Sequence, residues 1–357
     1  MKRRPNLSRR TFLKLTATVA AGAALAGCTP KQSTLAPTDT AASVIKPTLP
    51  PSPTSEVSAT GTTPAETTPV ETSPTETTSN PEPTATNAPA YLAVVHGPDP
   101  AAITRAAIEA LGGMASFVSS GYDVIIKPNI CTDYNPPEYA STTNPTVVAT
   151  LVTMCLEAGA ERVRVMDSPF GGTPESAYEI SGIKAAVEAA GGEMHIMGYP
   201  KYTEVEIPQG KSMKKVMIYP DFLKTNLLIN VPIAKHHSAT RLTLGAKNLM
   251  GMVRDRNLMH ANLSQRIADL TSLVHPQLTV VDAVRILTAH GPTGGVLSDV
   301  KQMDTIIASR DIVAADAYAT TLFGLTGADI GYIQASADMG LGTMDLSSID
   351  LQEINLG

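Results

Sequence analysis

Cysteine and aromatic side chains are scarce in this sequence. Only Cys28, Cys131 and Cys155 occur among 357 residues. They form no C-x-x-C pair, so an iron–sulfur cluster or a thiolate zinc site lacks its ligands. Aromatic residues make up 4 % of the chain and tryptophan is absent. With few aromatics, no basic stripe and a net negative charge, nucleic acid is excluded as a partner. A membrane-spanning run is missing as well: the apolar stretch from Leu15 to Gly27 is shorter than the ~20 residues a span needs.

What the N-terminus does contain is an address. Lys2, Arg3, Arg4, Arg9, Arg10 and Lys14 precede or enter the apolar run, with no acid among them. Ser8-Arg9-Arg10-Thr11-Phe12-Leu13-Lys14 matches the twin-arginine export pattern, and Leu25-Ala26-Gly27-Cys28 matches a cleavage site ending in a lipid-accepting cysteine. Residues 1–28 therefore read as a signal peptide handled by the twin-arginine translocase. The mature protein is expected to begin at Cys28 and to be held outside the cytoplasm by lipid on that residue. From 29 to 89, 36 of 61 residues are Thr, Pro or Ser, a composition that cannot offset its ordering entropy. It reads as a disordered, semi-rigid tether.

Residues 90–357 are long enough for one sizeable core and carry 19 basic and 27 acidic residues, a formal charge of −8. Tyr122 to Ile130 reads as a buried strand. Asn144 can cap, and Pro145 start, a helix whose apolar positions Val148, Leu151, Cys155 and Ala158 follow helical spacing and which Gly159 ends. Arg162 to Asp167 is the next strand, completing a β-α-β unit. Further on the pattern predicts a helix over 183–190, a strand over 193–197, a hairpin over 203–219 and a buried strand over 227–231. Helices follow at 242–252 and 263–273, strands at 278–283 and 305–308, and helices from near Asp311 and Asp329. The fold class is α/β, a mainly parallel sheet with helices on both faces, with a division into two subdomains left open. A Cys131–Cys155 disulfide is permitted outside the cytoplasm and stays open too.

Polar groups follow nearly every strand: Lys127-Pro128-Asn129, Asp167-Ser168-Pro169, Lys235-His236-His237, Asp282, and the loop Gly291-Pro292-Thr293-Gly294-Gly295. In open α/β sheets such strand ends border the ligand crevice. The densest stretch is 234–251, AKHHSATRLTLGAKNLMG, followed by His260. Charged side chains are rarely buried alone, so Lys235, His236, His237, Arg241, Lys247 and His260 are expected to face a polar cleft suited to an anion, with the choice between His236 and His237 left open. His195 and His275 are expected to be ordinary structural or surface groups.

The series IKPN at 126–129, TTNP at 142–145, Asp167-Ser168-Pro169, INVPIAKHH and GAKNLMG within 229–251, His260, VVDA at 280–283, GPTGG at 291–295 and SRDIVAADA at 309–317 resembles the domain of unknown function 362 family, from about Asp123 to Gly324. Some members of that family carry ferredoxin-type cysteines; this chain does not, so an iron–sulfur role does not carry over. A fainter similarity is to the nickel-pincer lactate racemase family: His237, Lys247 and His260 follow the order of its proton-moving His, its cofactor-holding Lys and its nickel-binding His. The similarity lapses after the second strand, where that family has a further acid/base His and this chain has Asp167-Ser168-Pro169.

These readings together predict a cofactor- or metal-dependent enzyme, of oxidoreductase or isomerase type, acting on a small anionic metabolite. His237 and Lys247 are the candidate catalytic residues. Lys127, Asn129, Asp167, Arg241 and Gly294 are candidates for binding a nucleotide-derived or other cofactor and the anion, and His260 with Asp282 for a metal. The alternatives are a solute-binding lipoprotein without chemistry, or a surface scaffold.

Overall fold

The computed structural model describes residues 90–357. Arg9, Arg10, Cys28 and the 29–89 tether lie outside the described residues. Among those described, no helix is long and apolar enough to cross a membrane.

The chain opens with β1 (Leu92–His96) and α1 (Pro100–Ala110), whose start is fixed by Asp99 accepting from the Ala101 amide with Pro100 at the first helical position. β2 (Asp123–Pro128) and α2 (Pro145–Glu157) follow, and the Asn144 side chain accepts from the Thr146 amide as the capping reading required. β3 (Arg162–Val165), α3 (Pro174–Ile180), α4 (Ile183–Ala189) and the two-residue β4 (Glu193–Met194) complete the first half. β5 (Thr203–Glu206) and β6 (Lys215–Ile218) form the expected hairpin as a separate two-stranded sheet.

β7 (Leu227–Val231) is buried along its whole length and runs almost directly into β8 (Ile233–His237). β9 (Arg241–Thr243) folds back on β8 and leads into the short helix α5 (Gly245–Asn248). α6 (Leu263–Val274), β10 (Leu278–Leu287), β11 (Val300–Ser309), α7 (Ile312–Thr321), α8 (Gly331–Ala337) and β12 (Leu351–Asn355) finish the domain.

The fold is α/β. A 10-stranded sheet has the order β12-β1-β11-β10-β7-β2-β3-β4, with β8 beside β10 and β9 beside β8. Most pairings are parallel; the antiparallel ones are β1 with β11, β10 with β11, and β8 with β9. Successive residues of each central strand enter opposite core layers, as the two-residue period of a strand demands. Val124 and Ile126 pack with α1 to α4, while Ile125 packs with the hairpin and α6 to α8. Val280 and Val281 divide the same way, so two hydrophobic layers flank one sheet and the described residues do not split into two subdomains.

Two expectations need correction, and one open question is answered. The helix anticipated over 242–252 is β9, α5 and a further 3-10 turn at Leu249–Met252, because Leu242 to Thr243 pair with β8 before Gly245 lets the chain turn. β10 runs on to Leu287 through a bulge after Ala283, which leaves Asp282 inside a strand instead of at its end. Cys131 and Cys155 are both buried and free, and they form no disulfide.

Candidate functional site

The carboxyl ends of β2, β3 and β8 open onto a cavity of about 390 Å³. Its wall includes Asn129, Asp167, Lys235, His237, Lys247 and His260, so residues from three segments far apart in sequence meet around one hollow. Cys131, Ser168, Asn248, Arg256 and Pro292 also line it.

Beneath the floor is a buried ion pair. Lys127 Nζ lies 2.7 Å from Asp167 Oδ1 and also donates to the Pro128 carbonyl and Asn248 Oδ1. Burial pushes the Lys127 ammonium below its ordinary range, against the upward pull of Asp167. Asp167 accepts in addition from the amides of Ile130 (2.7 Å) and Ser168 (2.9 Å), so this one carboxylate holds the first residues of two lining loops. The turn carrying Gly251 lies hard against the pair: a Cβ there would fall 2.0 Å from Asp167 Oδ1 and 2.7 Å from Lys127 Nζ. The closing glycine of GAKNLMG is thus a packing requirement of the site.

Three lysines are buried here, and their partners separate their roles. Lys127 has three acceptors. Lys235 Nζ donates to Asn129 Oδ1 (2.8 Å), the Ser141 carbonyl (2.7 Å) and the Pro292 carbonyl (3.0 Å), which uses all of its hydrogens. It pins the 291–295 loop to β2 and lends the cavity only its field. Lys247, 9 % exposed, has no oxygen acceptor among the described residues; its Nζ touches Met250 Sδ at 3.5 Å. Burial first, then the charges of Lys235 and Arg256, push its ammonium down to about 8, against an opposing contribution from Cys131. An amine at that value spends a substantial fraction of its time unprotonated near neutral pH.

α5, which carries Lys247, is gripped from below. Asp316 of α7 accepts from the Gly245 amide at 2.6 Å and the Ala246 amide at 2.9 Å, while Asn230 of β7 donates to the Gly245 carbonyl. A Cβ at Gly245 would sit 2.6 Å from Asp316 Oδ1, so glycine is needed for the approach.

His237 faces the cavity and His236 does not; the latter's Nδ1 accepts from the Gly291 amide instead. His237 Nδ1 accepts from the Ala239 amide at 3.0 Å, which leaves its ring proton on Nε2. Desolvation and then the charges of Lys247 and Lys235 push its pKa down to about 3. The ring is therefore a neutral N–H donor at physiological pH. This refines the acid-or-base expectation, since the Nδ1 lone pair is committed to the backbone.

Several expected residues stand elsewhere. Arg241 has a left-handed backbone (φ 64°) and an exposed side chain that reaches the Asp329 carbonyl and carboxylate, away from the cavity. Gly294 is off the wall, against Leu287 and the Tyr139 carbonyl, and its loop reaches the cavity through Pro292. Asp282 is fully buried and accepts from the amides of Asn144 and Val284; burial raises its pKa to about 6. It fastens the start of α2 and does not meet His260, which is exposed at the cavity rim.

Among the described residues no group of three His, Cys, Asp or Glu side chains converges as a metal cage. The donor set therefore does not fit a metal held by protein ligands alone.

Arg256 is the functional residue that sequence pattern missed. It lies in an irregular 3-10 stretch, Arg256–Asn262, with no periodicity to mark it. Its Nη2 donates to the Ser168 carbonyl and its Nε to the Val253 carbonyl, so Nη1 is uncommitted among the described residues. Thr243 lines the wall too, but its Oγ1 is closed off from the cavity and has no hydrogen-bond partner among the described residues. With Lys235, Lys247 and Arg256 against one carboxylate that Lys127 already neutralises, the lining is cationic and suited to an anion.

Comparison with known proteins gives three findings. Residues 124–321 match the family model described as Domain of unknown function (DUF362). The thylakoid-associated protein sll1697 of Synechocystis sp. is 26 % identical over 250 residues, covering 66 % of this chain and 74 % of that protein. The solved lactate racemase apoprotein of Thermoanaerobacterium thermosaccharolyticum aligns at a TM-score of 0.43 with 13 % identity, over 64 % of this chain and 56 % of that one.

Proposed function

The chain belongs to the DUF362 family, and from that premise we propose that its domain is an enzyme of the oxidoreductase or isomerase type that takes a small anionic metabolite into the Lys247 cavity. The observation that carries this reading is the buried Lys247 amine, aimed into a cationic hollow and lacking any oxygen acceptor. A side chain in that condition costs stability unless a ligand completes it, and perturbed amines of this kind gather at reactive centres. In this scheme Arg256 Nη1 grips the anion, and His237 Nε2–H donates to an oxygen that gains charge. Lys247 holds the ligand or a cofactor by charge or covalently. Two-base racemisation does not follow, because the place after β3 holds Asp167, bound to Lys127 and two amides.

Calorimetric titration with oxalate tests the anion site. Affinity is expected to drop about tenfold or more in Lys247→Ala, a loss of roughly 1.4 kcal/mol or greater. In the wild type it should weaken as pH rises through about 8, because the ammonium is charged below that value and neutral above it. Equal affinity in both proteins, flat with pH, would remove Lys247 from the site.

We propose further that the domain is exported by the twin-arginine route and tethered by lipid on Cys28, a reading supported by the order of Arg9-Arg10, the apolar run and Leu25-Ala26-Gly27-Cys28. The relative's name, which associates it with thylakoids, fits a membrane setting. Labelled palmitate fed to producing cells should enter the wild type and not Cys28→Ser; label in both would refute it.

A further inference from the structure

We propose that Lys247 forms an imine with a small 2-oxo acid, so that the anion this cavity takes is a carbonyl compound whose carboxylate lies against Arg256. The proposal rests on the anion site argued above and goes beyond it by naming the substrate class and the bond.

Three features of the cavity are those an imine-forming site needs. The first is an amine without an oxygen acceptor among the described residues: there Lys247 Nζ meets Met250 Sδ, whereas Lys127 and Lys235 have their hydrogens committed to oxygen. Only an amine that gives up its proton easily attacks a carbonyl, and the surrounding cations and burial hold Lys247 near 8. The second is a neutral hydrogen-bond donor for the carbonyl oxygen. His237 supplies it, since its Nδ1 is occupied by the Ala239 amide and its proton is on Nε2. The third is a carboxylate grip, which Arg256 provides from the same wall through Nη1, uncommitted among the described residues.

The groups facing Lys247 are Lys235 on β8, His237 at the end of that strand, Arg256 and His260 on the 256–262 stretch, and Cys131 after β2. Asp167, the lone carboxylate of the lining, is engaged by Lys127. The step balances without any redox partner. The Nζ lone pair forms a C–N bond to the carbonyl carbon as the C=O π pair moves to oxygen, which the His237 N–H stabilises. Both amine hydrogens then leave with that oxygen as one water, and the C=N bond remains.

The experiment is reductive trapping on the purified protein with glyoxylate and cyanoborohydride at pH 8, read by intact mass and peptide mapping. At that pH an amine titrating near 8 is about half unprotonated, against under about 1 % for an ordinary lysine. Lys247 should therefore gain a carboxymethyl group on the order of tenfold or more faster than the exposed Lys184 and Lys215. Trapping should saturate with glyoxylate, be blocked by oxalate, and need several-fold more glyoxylate in Arg256→Gln. Formaldehyde, which has no carboxylate, should show no dependence on Arg256. Labelling of Lys247 no faster than of Lys184 would overturn the imine. Should oxalate still bind in that case, the anion site stands and the covalent step alone falls; should it not bind, both fall. Lys247→Arg, which keeps the charge but cannot condense, should bind oxalate and give no adduct at 247; an equally fast cavity adduct in that variant would also overturn the assignment.

Discussion

Asp167→Ala is expected to destabilise the domain by about 3–5 kcal/mol, a fall on the order of 10 °C in Tm for a chain of this size. Both partners of the Lys127–Asp167 pair are out of solvent, with side chains 0 % and 4 % exposed. Removing one half of such a pair leaves a buried charge without compensation, which costs more than the intact pair ever contributed. The loss extends beyond the ion pair, because the carboxylate also accepts from the Ile130 and Ser168 amides. Without it the two loops that begin there lose their anchor and Lys127 has nothing to offset its burial, so its ammonium should give up its proton. Lys127→Met removes the charge while filling the space, and it leaves Asp167 two amide donors. It should therefore cost clearly less than Asp167→Ala. Chemical denaturation of both variants decides the matter, and Lys127→Met proving the more damaging would mean that the floor is held by the lysine and not by the carboxylate.

How far the amino-acid string foretold this site depended on whether each residue had a local signature. Asn144-Pro145 is a cap followed by a residue with its φ preset, and the helix begins there. Lys127, Asn129, Asp167 and His237 follow or end strands whose apolar runs are unmistakable, and strand ends of a parallel sheet gather at one edge. Lys247 lay between two glycines that close contacts require. Arg241 was misplaced because nearness along the chain was taken for nearness in space. It ends a tight β8–β9 turn whose left-handed residue sends the side chain outward to Asp329. Asp282 looked like the end of a strand only because a bulge interrupts the alternation after Ala283. Arg256 has no such signature: what makes it part of the site is a guanidinium nitrogen left uncommitted among the described residues, which exists only once the chain has folded. The edge strand β12 has no local signature for a related reason, since a short edge segment derives its pairing from a distant partner, here β1.

The grip of Asp316 on α5 leads to the second large effect. Asp316→Ala would leave the Gly245 and Ala246 amides, both buried, without an acceptor, at about 1–3 kcal/mol each. Asp316→Asn keeps one acceptor oxygen but turns an NH₂ toward the other amide, so its cost should lie between that of the wild type and alanine. Burial raises the Asp316 pKa to about 7, above its unfolded value, so the folded state binds the extra proton more readily. This group's contribution to stability is thus greatest in acid and is lost as pH rises from about 4 through 7; the asparagine variant should lack that slope. The consequence reaches the cavity, because the two amides Asp316 holds are those immediately before Lys247. Oxalate affinity should follow the same order as stability, wild type above Asp316→Asn above Asp316→Ala, even at temperatures where all three are folded. Unchanged oxalate binding in a folded Asp316→Ala would show that Lys247 keeps its place without this carboxylate, leaving Asn230 and the packing of Gly245 to position it.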